Sequence, residues 1–422
     1  MQFLLFDSWF KSSIGVFIAY VFIYWAYQMC IALRGMWNPL PLKRAREYRR
    51  FVILIPAHNE EKVIGHLLDS LDEQTYPRGY FDVFVSCDNC VDGTVQMVEK
   101  HHARALTRND SKHGGKTWNI RWAMKQIPLE KYDAVVMFDA DNLAEKSFLS
   151  HMNDYLEEHP EAEAVQGYLD TKNPDDSWVS RSYALSYWYS NRFWQLARSN
   201  WGLSSAAGGT GLVIRTTCLQ RVGWDLQSLT DDLEFSTRII LDGGRVHWND
   251  WAVVYDEKPL SFWASRRQRT RWMQGHYWVL VKYGPQLFLK FLKTGKLQYL
   301  DWLLYLLSAV TTVVGFGVLA VRLGLGSSWS TGVPLWGVWL ASGLIQCAFN
   351  IILGPSFHWR KLTFRYIPDM FTYFIYGLTW PPIMLYAAFL SRNQEQWVKT
   401  DHTRGLDLSD IKPQQKGVLD SL

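Results

Sequence analysis

At 422 residues the chain has room for two or three domains, and its 20% charged side chains fall slightly below the roughly 25% of an ordinary soluble domain. Hydrophobic residues make up 48% and aromatics 15%, yet a mean hydropathy of −0.13 excludes a membrane bundle throughout; a polar middle between apolar ends reconciles the two. A net charge of +4, with no basic stripe interleaved with aromatics in that middle, is too small to argue for a nucleic-acid partner, and none is expected.

In chain order, Ile14 to Leu33 is an uncharged run long enough to cross a bilayer as a helix. It is too long for the core of a signal peptide, and no small-x-small cleavage site follows. Arg34, Lys43, Arg44, Arg46, Arg49 and Arg50 come directly after it. By the positive-inside rule this flank and the residues beyond it belong in the cytoplasm. Residues 1–34 are therefore expected to form an N-terminal transmembrane helix in the cell (inner or plasma) membrane.

Residues 50–260 read as a cytosolic α/β domain. Phe51–Pro56, Phe81–Ser86 and Ala134–Phe138 are apolar runs of strand length. They alternate with helical patterns over Asn59–Leu71, Thr94–His101 and Thr117–Gln126. In the first of these, Val63, Ile64, Leu67, Leu68 and Leu71 share one face. Such alternation predicts a mostly parallel sheet with flanking helices, with ligands beyond the carboxyl ends of the strands. A further strand, Leu212–Ile214, and a helix, Leu233–Leu241, follow. Five scattered cysteines make no disulfide framework. Cys87-x-x-Cys90, with His101 and His102 nearby, supplies half of a zinc site, but there is no second cysteine pair. Small residues at a strand end and turn is the simpler reading.

Residues 261–297 mix Trp, Phe and Leu with Arg and Lys. That suits amphipathic helices on a membrane surface; a core helix with a solvated basic face is the alternative. Residues 298–391 hold three apolar segments, at 300–321, 333–354 and 366–390. The linker Gly324-Leu325-Gly326-Ser327-Ser328 joins the first two, and His358, Arg360, Lys361 and Arg365 lie between the second and third. The short loop is thus expected outside and the basic loop inside. Pro381-Pro382 removes two donors from the third segment, which either spans or dips in and returns. Residues 392–422 form a C-terminal tail.

The strongest chemical signal is Asp139-Ala140-Asp141 at a strand end. Two carboxylates one residue apart can hold a hard divalent cation by oxygen and leave room for phosphate oxygens. Pro56-Ala57-His58-Asn59-Glu60 ends the first strand and opens a helix, where backbone N–H groups can face a uridine or a phosphate. Asp88, after the second strand, can accept a hydrogen bond from a base N–H. Asp92-Gly93-Thr94 beside it reads as a turn and helix cap. Gly114-Gly115-Lys116 offers close backbone approach and a point charge for phosphate, or else a flexible loop with a solvated lysine. It is not a Walker loop, whose four-residue insert and upstream glycine are missing.

Gly208-Gly209-Thr210-Gly211 makes a flexible loop before a strand. Thr230-Asp231-Asp232 opens a helix, either as a cap with acids favoured by the dipole or as a general base whose crowded neighbour raises its pKa. In Gln268-Arg269-Thr270-Arg271-Trp272, Arg271 can neutralise a departing diphosphate and Trp272 can present a flat face to a sugar ring. Trp178, Trp188, Trp194 and Trp201 cluster upstream, where packing or interface anchoring is favoured over sugar stacking.

The ordered set Pro56 to Glu60, Asp88, Lys116, Asp139-x-Asp141, Thr230-Asp231-Asp232 and Gln268-x-x-Arg271-Trp272 resembles the inverting, membrane-integrated glycosyltransferases of family 2 over residues 50–280. Cellulose, chitin, hyaluronan and poly-N-acetylglucosamine synthases belong there. The resemblance implies a GT-A-like fold and transfer from a UDP-sugar to a growing glycan, with single-sugar transfer to a lipid or polyprenyl phosphate as the alternative. It implies Mg²⁺ or Mn²⁺ held by Asp141 with Asp139. Ala57, Glu60, Asp88 and Lys116 would hold the nucleotide, with Asp88 on the uracil, and Asp139 would sit against the nucleotide-sugar. Asp232 would be the general base. Gln268, Arg271 and Trp272 would lie near the acceptor and the diphosphate, with Arg271 counted in the catalysis.

Asp231 stands where the family usually has Glu. Trp397-Val398-Lys399-Thr400-Asp401-His402 loosely resembles a loop that closes over the nucleotide. Membrane lipids are expected neighbours, and an export partner is neither required nor excluded. A scaffold without activity is disfavoured, because every acid of the set is retained.

Overall fold

In the computed structural model, which describes residues 2–110, 112–324, 335–359, 361–394 and 405–411, a long helix α1 (Gln2–Leu33) leads into the α/β region. There follow β1 (Phe51–Ala57), α2 (Ile64–Asp72), β2 (Phe81–Asp88), α3 (Thr94–Glu99), β3 (Arg104–Arg108), α4 (Lys116–Gln126) and β4 (Ala134–Met137). Next come β5 (Leu143–Ala144), α5 (Phe148–Glu158), β6 (Ala164–Thr171) and α6 (Trp178–Ser190). A π-helical turn over Asn191–Leu196 continues α6 into α7 (Ala197–Asn200). Then β7 (Leu212–Arg215), α8 (Thr216–Val222), α9 (Asp231–Leu241) and β8 (Val246–Asp256) complete the sheet region. The chain continues through α10 (Phe262–Thr294), α11 (Leu297–Gly324), α12 (Leu335–Trp359), α13 (Met370–Leu378) and α14 (Trp380–Leu390).

The strands form one eight-stranded mixed sheet in the order β3-β2-β1-β4-β7-β6-β8-β5, four of its seven pairings parallel. β1 reads as an unbroken apolar run because both its faces are covered. Phe51, Ile53 and Ile55 feed one core while Val52 and Leu54 feed the other. β4 does the same, with Val136 on one side and Val135 and Met137 on the other. Each such side chain contributes about 1.5–3 kcal/mol by leaving water. β7 runs antiparallel between β4 and β6, so the loop that enters it, Gly208–Gly211, lies at the same rim as the ends of β1, β2 and β4. β6 and β8 run parallel to each other and end at that rim too.

Two element boundaries differ from expectation. The helix expected over Asn59–Leu71 begins only at Ile64, because Asn59 adopts φ 55° and the chain turns first, Glu60 C=O accepting from Val63 and Ile64 N–H. The aromatic and basic stretch after residue 261 is a single 33-residue helix rather than several. It does not simply lie on a surface. α10 packs between α9 on one side and α11 and α14 on the other, and buries Ser265, Arg269, Thr270, Gly275 and His276.

Among the described residues four helical stretches are long and apolar enough to cross a membrane: Gly15–Met36, Leu297–Val321, Leu340–Trp359 and Ile367–Leu390. The last is broken at Thr379, before Pro381-Pro382. Arg269 donates to Thr379 Oγ1 at 2.8 Å there, its guanidinium stacked on Tyr376 and Trp380. A buried ion pair ties these helices to the sheet region: Arg198 meets Asp301 of α11 at 3.1 Å, Tyr27 of α1 donates to Asp301 at 3.0 Å, and Arg198 donates to Gln28 at 2.8 Å. Most of the Gly324–Ser328 linker and all of Trp397–His402 lie outside the described residues. Of the tail, residues 405–411 are described, and Ile411 packs against Leu143, Tyr168 and Trp248.

Candidate active site

All ten side chains singled out in the sequence line one cavity of about 840 Å³ at the sheet rim: Ala57, Glu60, Asp88, Lys116, Asp139, Asp141, Asp232, Gln268, Arg271 and Trp272. The first six sit at the ends of β1, β2 and β4 and the start of α4. Asp232 comes from the N-terminal turn of α9, and the last three from the first turns of α10.

At the nucleotide end, Asp88 closes β2. Its Oδ1 accepts from Arg108 of β3 at 2.6 Å and from Asn89 Nδ2 at 3.0 Å. Burial raises the Asp88 carboxyl and Arg108 opposes that. Asp92 lies one residue before the Gly93 N-cap of α3, its Oδ1 accepting from Thr94 N–H at 3.1 Å. His101 bonds Met97 C=O and Asp69, and His102 faces Asp72.

In the middle of the cavity Lys116 and Asp139 form an ion pair, and Lys116 Nζ also donates to Gly209 C=O at 3.2 Å. Gly209 holds φ 76°, and a Cβ there would sit 3.3 Å from Asp232 and 3.5 Å from Lys116 Nζ, so a glycine lets the loop pass between them. Asp139 N–H donates to Thr210 Oγ1 at 3.2 Å, which joins the β4 end to the β7 loop. Burial alone would lower the Lys116 ammonium. Asp139, Asp231 and Asp232 outweigh it and hold Lys116 above its usual range. Asp139 is raised by burial and by Asp141, against Lys116. Its side chain keeps 36% of its surface accessible.

Asp141 and Asp139 offer hard oxygen donors of the kind a divalent cation takes, and Asp139 is shared with the Lys116 ammonium. Asn142 Nδ2 bridges Asp141 and Asp256, at 3.3 and 3.4 Å. Lys172, at the end of β6, donates to Asp141 C=O.

At the far side, burial and then the neighbouring Asp231 charge push the Asp232 carboxyl up to about 7, while Lys116 pulls the other way. Leu233 N–H donates to Asp232 Oδ1 at 2.7 Å and fixes the carboxylate at the helix start. Burial lowers Arg271 against the pull of Asp231, Asp139 and Asp232. Gln268 Oε1 accepts from Tyr183 at 3.0 Å, and Tyr183 meets Trp272 edge to face. Of the four upstream tryptophans, Trp188 is core, Trp178 and Trp201 are exposed, and Trp194 lines the cavity.

Several lining or supporting residues escaped the sequence reading: Arg108, Lys172, Asp256, His276 and Tyr305. Asp256 was legible, since it follows the apolar run Ala252–Tyr255 as Asp139 follows Ala134–Phe138. Tyr305 was not, because it sits inside a segment whose apolarity reads only as a span.

Comparison with known proteins fits this geometry. The model of glycosyltransferase like family 2 matches residues 49–275. A probable glycosyltransferase of Bacillus subtilis, YdaM, is 25% identical over 374 residues, covering 84% of this chain and 87% of that protein. The β-monoglucosyldiacylglycerol synthase of a Nostoc species is 28% identical over 241 residues, 55% of this chain and 50% of that enzyme. Among solved structures, a mannosyltransferase from Pyrobaculum calidifontis, in complex with GDP-mannose and Mn²⁺, superposes over 90% of this chain and 99% of its own, with a TM-score of 0.61 at 20% identity. The mixed sheet, its rim of acids and the matched residues agree, and the chain belongs to glycosyltransferase family 2.

Proposed function

We propose that the protein is a membrane-bound inverting glycosyltransferase that moves a sugar from a UDP-sugar to a growing glycan, with its sheet domain on the cytoplasmic side of the inner or plasma membrane. The observation that carries this is the convergence of ten side chains, from Ala57 to Trp272, on one cavity around an aspartate whose carboxyl is held near neutral pKa. Asp88 Oδ1 is committed to Arg108 and Asn89, which leaves its second oxygen for a uracil N–H. Lys116 and Arg271 face the phosphates. Asp139 and Asp141 would hold Mg²⁺ or Mn²⁺, which when bound supplies positive charge to the leaving diphosphate.

Asp232 accepts the proton of the acceptor hydroxyl. That oxygen attacks the anomeric carbon from the face opposite the diphosphate, and the electron pair of the breaking C–O bond stays on the departing UDP. One displacement inverts the configuration.

Transfer of a single sugar to a lipid remains a second reading, favoured by the relative named β-monoglucosyldiacylglycerol synthase. Purified full-length protein in lipid, offered a panel of UDP-sugars and GDP-mannose, is expected to release nucleoside diphosphate with one of them. Failure with every donor would refute the assignment.

A further inference from the structure

Two thiols flank Asp88 and take no part in the transfer chemistry. Cys87 is the next-to-last residue of β2 and is buried; Cys90, in the turn that follows, is partly exposed. Their sulfurs are hydrogen-bond partners of one another. β2, α3 and β3 form a parallel βαβ unit. A Cys-x-x-Cys spacing in such a unit is that of a redox-active dithiol.

The backbone is shaped around the second sulfur. Among the described residues Asn59, at φ 55°, and Asn89, at φ 49°, are the non-glycine residues with positive φ. Both border Cys90. Asn59 N–H donates to the Cys90 sulfur at 3.5 Å, and Asn59 Oδ1 accepts from Val91 N–H at 2.8 Å. Asn89 immediately precedes Cys90. Asparagine bears left-handed backbone better than most side chains, yet two such residues at one sulfur mark the kind of strained spot that gathers at functional sites.

The two thiols are unlike. The Cys87 thiol and the Asn59 amide lower Cys90 to about 7, against burial. The same contact, with burial, raises Cys87. Cys90 is thus the nucleophile and Cys87 the resolving thiol. Cys218 and Cys347 are buried away from any such partner, and burial pushes Cys218 up to about 12.

The turn between the sulfurs also aims Asp88. Asn89 Nδ2 donates to Asp88 Oδ1 and to Asp110 C=O, both at 3.0 Å, and Asn89 Oδ1 accepts from Asp110 N–H at 3.0 Å. Cys87 is held in β2 by the ladders to β1 and β3. A bond between the sulfurs therefore draws Cys90 inward and carries Asn89 with it, so Asp88 loses one of the partners that fix its carboxylate.

We propose that Cys87 and Cys90 form a reversible dithiol–disulfide site, closed by a low-molecular-weight disulfide, and that closure weakens donor binding. The Cys90 thiolate attacks one sulfur of that disulfide, whose S–S bond breaks, and one thiolate leaves with the electron pair. Cys87 then attacks the Cys90 sulfur of the mixed disulfide, its proton passing to the second departing thiolate. The two cysteines lose two electrons, and the small disulfide is reduced to two thiols. The effect on the donor rests on the reading of Asp88 given above; the thiol chemistry does not.

The test uses full-length protein in phosphatidylcholine nanodiscs, reduced or incubated with oxidised glutathione. Free thiols are then blocked, peptides are mapped by mass spectrometry, and UDP binding is measured by calorimetry. A Cys87–Cys90 disulfide should form and be reversed by dithiothreitol. Cys87→Ser should stop at a mixed disulfide of Cys90 with glutathione. Oxidation should raise the UDP Kd of the wild type about ten-fold, the loss of one hydrogen bond to a charged group, and leave that of Cys90→Ser unchanged. No Cys87–Cys90 bond, or a mixed disulfide that forms on Cys87 instead, would overturn the site. A bond that leaves the UDP Kd where it was, or an equal rise in Cys90→Ser, would overturn its effect on the donor. Reduced protein that binds no UDP would overturn the reading of Asp88, while the peptide map still decides the dithiol.

Discussion

Asp232 stands beside Asp231 in the cavity, where burial and that neighbouring charge raise its carboxyl. General-base removal typically costs about 10²–10⁴-fold, so Asp232→Asn should lower turnover by that order while donor binding, measured by calorimetry, survives. Near-normal turnover in that variant would sink the base assignment. Only the ionised carboxylate can take the acceptor proton. kcat/KM should therefore climb as pH rises through about 7 and fall away on the acid side. Asp231 contributes to that raised value, so Asp231→Asn should move the acid limb to lower pH; a limb that stays put would remove Asp231 from the account. Chelation with EDTA should abolish diphosphate release and Mn²⁺ or Mg²⁺ restore it, whereas full activity after chelation would free Asp139 and Asp141 of their proposed cation. At this scale the sequence was most readable, because acids at the ends of buried strands have few other reasons to be there. Arg108, which fixes Asp88, was missed because β3 is short and polar (RALTR) and carries no apolar pattern.

At the scale of elements, one close approach governs the geometry. A Cβ built on Gly275 would lie 2.2 Å from Thr230 Oγ1 and 2.7 Å from Thr230 N, so only glycine lets α10 seat against the start of α9. Gly275→Ala should push the two apart. A shift of about 1 Å can cost about 10²-fold in rate, and overpacking about 1–3 kcal/mol in stability. Turnover and melting temperature read the two effects separately, and wild-type values for both would refute the tight seat. β1, β2 and β4 were legible as unbroken apolar runs. β6 was not, although every residue of it is buried, because Gln166 and Asp170 interrupt the pattern. Their polarity is absorbed by hydrogen bonds that no local sequence reveals: Gln166 Nε2 to Thr210 C=O at 2.9 Å, and Trp188 Nε1 to Asp170 at 2.9 Å. α10 read as a surface helix because of its arginines. Arg269 is in fact fully buried and Arg271 lines the cavity, and that inversion is a property of the packed helices around them.

At the scale of the whole molecule, Arg198 and Asp301 couple the sheet region to α1 and α11. Removing one partner of a buried pair leaves an uncompensated charge and costs about 3–5 kcal/mol. Asp301→Leu should accordingly lower the melting temperature followed by tryptophan fluorescence, and Arg198→Met combined with it should recover most of the loss. A double variant as unstable as the single one would show that the pair is not the cause.

The cavity's walls have a consequence for biosynthesis. Residues as late as Tyr305 and Trp380 complete a space whose first wall residue is Pro56. A nascent polypeptide released or stalled before those helices emerge carries every acid of the donor end in an open, wet cleft. There Asp232 would lose the burial that raises it and relax toward an ordinary carboxylate. Translation order therefore sets when the cavity is complete, which is only after Tyr305 and Trp380 have been added.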